Sequence, residues 1–200
     1  MDRAGQPATG RRVTSVKIVI AGGFGVGKTT LVATISEITP LTTEALLTSA
    51  SVGVDDTSAV PAKETTTVAM DFGRLNLDPE LILYLFGTPG QDRFSFMWDE
   101  LVRGAIGAVV LIDPARIVDC FAAVDYFEQR RVPYVVAVNS FDHGRVYTDA
   151  QLRASLQIRD DIPVQRIDAR RRGDVRDVLT LLVQHALSTR RTTASVMSRP

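Results

Sequence analysis

A chain of 200 residues with 45% hydrophobic content can build one well-packed domain and is too short for two of ordinary size. Its 23 basic residues balance its 23 acidic ones, which excludes a global field that would draw in nucleic acid or an anionic membrane. The single cysteine, Cys120, excludes an intrachain disulfide and a cysteine-built zinc site; it suits a reducing compartment and reads as a core residue.

Residues 1–12 (MDRAGQPATGRR) are polar and aperiodic and read as a disordered tail without the apolar stretch of a signal peptide. No apolar run is long enough to cross a bilayer, and the usual lipidation positions are missing at both ends, so no direct membrane anchor is expected. Val13 to Ala21 predicts a central parallel strand, apolar on both faces. Gly22 to Thr30 (GGFGVGKTT) follows it and opens a helical pattern that Pro40 stops, giving a helix over Lys28 to about Glu37. Strand, glycine loop and helix in that order form the context in which G-x-x-x-x-G-K-[ST] signals a phosphate cradle. Gly22, Gly25 and Gly27 let successive N–H groups converge on an anion, and the helix start adds its field at the same point. Lys28 then reaches the terminal phosphates and Thr29 holds a Mg²⁺ that bridges them. Only three lysines, Lys17, Lys28 and Lys63, stand among the 23 basic residues, so one falling in the motif carries weight. A glycine turn that binds nothing is the bland alternative.

Residues 41–64, rich in Thr, Ser and Ala, read as a long mobile connection with a helical turn at Glu44 to Leu47. Thr65 to Leu77 and Leu81 to Phe86 predict a hairpin that adds an edge strand to the sheet. Further strands are expected at Ile106 to Ile112, Pro133 to Val138 and Val164 to Ile167. Helices are expected from about Asp92 to Arg103, over Val118 to Arg130 and Thr148 to Gln157 with Thr148 as N-cap, and over Asp174 to Leu187. Residues 188–200 read as a second tail. Alternating strands and helices predict a mostly parallel, six-stranded α/β sheet with one antiparallel edge strand and helices on both faces. Loops after the strands then collect at one edge, where such sheets bind ligands.

On these motifs the chain resembles the small Ras-like GTPases, P-loop NTPases with a G domain, and most of all the bacterial MglA type found in actinobacterial conservons. The resemblance covers roughly Val16 to Leu187, within a G domain at residues 13–187, and rests on five motifs in the family's order. The phosphate loop comprises Gly22, Gly23, Phe24, Gly25, Val26, Gly27, Lys28, Thr29 and Thr30. A switch threonine falls at Thr67, with Thr65 and Thr66 as competitors; the resemblance implies that it reaches Mg²⁺ and the γ-phosphate of GTP. In Thr88-Pro89-Gly90-Gln91, Gly90 offers its N–H to the γ-phosphate and Gln91 orients the attacking water. Asn139-Ser140-Phe141-Asp142 resembles Asn-Lys-x-Asp, with the Asp142 carboxylate accepting from guanine N1–H and its exocyclic amine. Asp168-Ala169-Arg170 resembles Ser-Ala-Lys, with the Ala169 N–H meeting guanine O6.

The implied activity is a guanine-nucleotide switch that hydrolyses GTP to GDP slowly, with Gln91, Lys28 and Thr67 as catalytic residues and Thr29 and Thr67 on the metal. The implied partners are a roadblock/LC7-type protein and a membrane sensor kinase-like complex, with the protein itself cytoplasmic and recruited to the membrane through them. Four positions depart from the pattern. Phe24 is bulky where glycine is common, Gly87 replaces the aspartate that supports Mg²⁺ through water, Ser140 replaces the base-lining lysine, and Thr66 replaces a built-in arginine finger. Arg93 and Arg74 are the nearby candidates for that finger. The alternative reading is a scaffold that holds guanine nucleotide without turning it over; a third is a small ATPase or phosphotransferase. Trp98, with Phe94, Phe96 and Met97, reads equally as core or as a partner patch. His143 and His185 form no metal constellation, and the run Arg170 to Arg172 reads as a solvated turn.

Overall fold

A computed structural model describes residues 13–48, 65–90, 97–141 and 147–197. Strand β1 (Thr14–Ala21) leads into helix α1 (Lys28–Ile35), then β2 (Leu41–Thr48), β3 (Thr65–Asp78) and β4 (Leu81–Gly87). The chain continues through α2 (Trp98–Val102), β5 (Ala105–Ile112), a 3₁₀ stretch (Pro114–Cys120), α3 (Phe121–Arg130) and β6 (Tyr134–Asn139). It closes with α4 (Asp149–Leu156), β7 (Val164–Ile167) and α5 (Arg172–Met197). The sheet order is β2-β3-β4-β1-β5-β6-β7. Strand β3 runs antiparallel to both neighbours, and every other pair from β4 to β7 is parallel.

The α/β, mostly parallel architecture and all six expected strands are present, and a seventh is added. Leu41–Thr48, expected as mobile chain with a helical turn, pairs along its whole length with β3, from Leu41 opposite Phe72 to Thr48 opposite Thr65. Leu, Ala and Glu favour helix locally, but the partner strand decides the outcome. The antiparallel strand is therefore second from the edge, and β2 is the edge. Residues 49–64 of that segment lie outside the described residues. Helix α5 runs ten residues past its expected end at Leu187. The helix expected from Asp92 is described only as α2, since residues 91–96 lie outside the description.

Helices on both faces follow from the burial of alternate β1 side chains. Ile18 and Ile20 pack with Leu31, Ile35, Val178 and Leu182 of α1 and α5. Val19 and Ala21 face Trp98, Phe127 and Leu152 on the other side. Trp98 settles as core, stacked on Phe127 and edge-on to Tyr126. Cys120 is also core: its thiol donates to the Ile117 carbonyl, and burial pushes its pKa up to about 12. Among the described residues no helix is long and apolar enough to cross a membrane.

Candidate functional site

The loop between β1 and α1 is pinned at both ends by packing. Gly27, the N-cap of α1, has φ +103, and a Cβ there would lie 2.8 Å from Asn139 Nδ2. Gly22 has φ +137, and a Cβ there would run into the Leu111 carbonyl. Both positions demand glycine for conformation and for space. Inside the loop the Lys28 ammonium, 7% exposed, donates to the Gly22 and Gly23 carbonyls at 2.9 and 2.6 Å. Burial lowers its pKa to about 8, with the nearby Asp71 carboxylate acting against that shift. An ammonium drawn out of water and held on two neutral carbonyls lacks a full counter-charge, which is the condition a polyphosphate relieves.

The Thr29 hydroxyl donates to Asp71 Oδ2 at 2.6 Å. Asp71 lies in β3 directly opposite Gly87 of β4, and a Cβ on Gly87 would come within 3.0 Å of Asp71 Cβ and 3.1 Å of Oδ2. A carboxylate from the adjacent strand thus occupies the space beside Gly87, where β4 itself carries no acid. Phe24, Gly25, Lys28, Thr29, Asp71 and Thr88 are among the residues around a cavity of about 380 Å³ at this edge. Gly90 closes against it, since a Cβ there would meet Lys28 Nζ and Phe24 Cα, both at 2.8 Å. Thr88 is buried, its amide donates to the Ile20 carbonyl, and its hydroxyl has no partner among the described residues. Phe24 is 67% exposed.

Asn139, at the end of β6, ties two loops together. Its Nδ2 donates to the Val26 carbonyl at 3.0 Å and its Oδ1 accepts from the Ala169 N–H at 3.0 Å. The amide that the resemblance gives to guanine O6 is therefore engaged within the chain, because Asn139, anchored on Val26, presents its oxygen there. Asp168 accepts from both the amide and the guanidinium of Arg170, which holds its carboxyl below the ordinary range. Ser140 is exposed, and its N–H donates to the Ile167 carbonyl. Thr30 is exposed at the start of α1. Thr67 lies within β3 opposite Leu46, four residues before Asp71, and Thr65 and Thr66 precede it in the same strand. Gln91, Asp142 and Arg93 lie outside the described residues. Arg74 turns its guanidinium to Asn76.

Two residues escaped the sequence reading. Asp71 belongs to none of the five motifs; its signal is an acid opposite a glycine in paired strands. Arg116, in the loop after β5, donates to the Phe24 carbonyl at 3.1 Å. The signal there was an Asp113-x-x-Arg116-x-x-Asp119 spacing directly after a buried strand.

The fold is that of a small GTPase. The Arl6 BBS3 small GTPase from Trypanosoma brucei, solved with the nucleotide analogue GppNp, superposes with a TM-score of 0.60 over 88% of this chain and 99% of its own, at 15% identity. An uncharacterised protein of Methanocaldococcus jannaschii, MJ1339, is 30% identical over 135 residues, which span 66% of this chain and 75% of the relative. Residues 20–189, from the end of β1 through most of α5, match a family described as conserved hypothetical ATP binding proteins. A match over that span, more than four fifths of the chain, places the chain in this family of conserved hypothetical ATP binding proteins.

Proposed function

We propose that the protein is a guanine-nucleotide switch that hydrolyses GTP slowly. The observation that carries this reading is the grouping at the head of α1: an under-compensated Lys28 ammonium, the Thr29 hydroxyl and the Asp71 carboxylate facing one cavity. Loop amides and Lys28 bind the phosphates. Gly90 lies against Lys28 and Phe24 of the phosphate loop, so an added γ-phosphate must displace or engage it, which is the coupling a switch needs. Gln91 orients the attacking water, whose oxygen bonds to the γ-phosphorus as the bond to the β-phosphate oxygen breaks and GDP leaves. Thr67 joins the phosphate side when GTP is bound. Asp142 recognises guanine, with Asp168 and Arg170 beside it, while the Ala169 N–H stays on Asn139 and braces that turn rather than meeting O6.

The hard oxygen donors of Thr29 and Asp71 fit Mg²⁺, with Thr67 as a further donor in the GTP state. When bound, Mg²⁺ would neutralise negative charge on the phosphates. Roadblock/LC7-type and sensor kinase-like partners, and a cytoplasmic protein recruited through them, follow from the resemblance to the MglA type. Adenine in the pocket is the second reading, favoured by the ATP-binding description of the family.

Competition of ATP and GTP against labelled GDP, followed by single-turnover hydrolysis, tests the proposal. The expected result is displacement by GTP but not ATP, a slow release of phosphate, and loss of guanine preference in Asp142→Asn. Preferential displacement by ATP establishes the adenine reading, and no phosphate after hours leaves only the scaffold.

The metal assignment has its own test. Asp71→Ala is expected to weaken Mg²⁺ dependence of nucleotide retention by about 10–100-fold, the range for losing a group that braces a metal ligand. The single change Gly87→Asp crowds two carboxylates and lowers stability, whereas the exchange Asp71→Gly with Gly87→Asp recovers metal dependence. Nucleotide release in EDTA and in Mg²⁺ reads all three.

A further inference from the structure

The loop after β5 lies against the outside of the phosphate loop: a Cβ on Gly23 would come within 2.5 Å of Asp119 Cβ. From it the Arg116 side chain reaches across. Nη2 donates to the Phe24 carbonyl at 3.1 Å, Nε donates to Asp113 Oδ2 at 3.0 Å, and Nη1 lies 3.5 Å from Asp119 Oδ2. The two carboxylates fix the plane of the guanidinium fork. At Arg116 itself the backbone leaves helical geometry, with φ −135 and ψ 51 inside the 3₁₀ stretch.

A trans peptide is planar, so its C=O and N–H point in opposite directions. A donor that grips the Phe24 carbonyl from outside therefore turns the Gly25 N–H inward, and Gly25 lines the cavity. Asn139 does the same two residues on: it holds the Val26 carbonyl and so turns the Gly27 N–H. Donation to a carbonyl also polarises its peptide and strengthens the N–H on the far side. The exposed Phe24 ring does not pin this turn, and Gly25 at φ +71 is free to adopt other conformations, so the turn needs an external brace.

We infer that Arg116 is a positioning residue for the polyphosphate: from outside the cavity it orients the Gly25 amide toward phosphate oxygens. The inference rests on the nucleotide reading above and adds to it a residue that never touches the ligand. Calorimetric titration of wild type, Arg116→Ala and Arg116→Lys with GDP and with inorganic pyrophosphate, alongside melting of the ligand-free proteins, tests it. Arg116→Ala is expected to weaken both ligands by the same factor, about tenfold, as for one charge-assisted contact. Arg116→Lys restores most of the loss, and the ligand-free melting temperatures stay together.

Unchanged binding in Arg116→Ala overturns the inference. So does a loss for GDP but not pyrophosphate, which moves Arg116 to the base or ribose, and so does a loss that lysine fails to restore or that comes with a lower ligand-free melting temperature. Wild-type protein that binds neither ligand is a separate result, and it removes the nucleotide reading first.

Discussion

Lys28→Met is expected to weaken binding of any di- or triphosphate by roughly 30-fold to several-thousand-fold, from the 2–5 kcal/mol lost when one member of a desolvated charge pair is truncated. The ligand-free protein should not suffer. Holding a largely buried ammonium on the Gly22 and Gly23 carbonyls is unfavourable, and a neutral side chain of similar length avoids that penalty. The pKa of about 8 sharpens the expectation. Lys28 is depressed from 10.5 in the fold, so between about pH 8 and 10.5 the unfolded chain binds more protons than the native one. Stability of the empty protein therefore rises with pH across that window. Affinity runs the other way. The phosphates require the charged form, so binding declines above pH 8, approaching about tenfold per unit. Urea midpoints and GDP affinities measured at pH 7.5 and 9.5 should show the opposed trends in wild type, and Lys28→Met should flatten both. Parallel trends, or trends that survive in the variant, would remove Lys28 as their source.

Asn139→Ala should produce the largest loss of stability. It strands the Val26 carbonyl and the Ala169 N–H at once, and a buried group without a partner costs about 1–3 kcal/mol. Together they amount to about 2–6 kcal/mol, a fall in melting temperature of roughly 5–20 °C for a domain of this size. Affinity falls as well, because the Val26–Gly27 peptide loses the contact that orients it. Asn139→Asp discriminates between the two bonds. The Ala169 amide keeps an acceptor while the Val26 carbonyl meets a carboxylate, so the phosphate loop should suffer more than the Ala169 turn. Thermal melting with and without GDP reads this: the increment on adding GDP should shrink more in Asn139→Asp than the ligand-free melting temperature falls. Equal losses would mean that Asn139 serves stability alone.

The parts of this molecule that were readable from sequence share a physical feature: they announce themselves locally. The continuous apolar runs of β1, β5 and β6 are buried on both faces and have no other plausible home, and the phosphate loop carries its glycines and lysine within nine residues. What escaped was decided at a distance. Leu41–Thr48 has helix-forming side chains and becomes a strand because β3 lies beside it. The last ten residues of α5 lack an apolar stripe and read as a tail, yet they continue a helix already nucleated by its buried first turns. Asp71 looks like a surface acid in an alternating strand. Only the pairing with Gly87, which supplies room, and the arrival of Thr29, which supplies a donor, reveal its place. Arg116 likewise means little until the loop it serves is brought against it.

The position of that acid also limits how such a site can change over generations. With Asp71 and Gly87 facing each other on adjoining strands, moving the carboxylate to the neighbouring strand takes two codon changes. The intermediate bears either a pair of crowded acids or no acid at all, so under the metal role proposed above neither single step keeps the site intact.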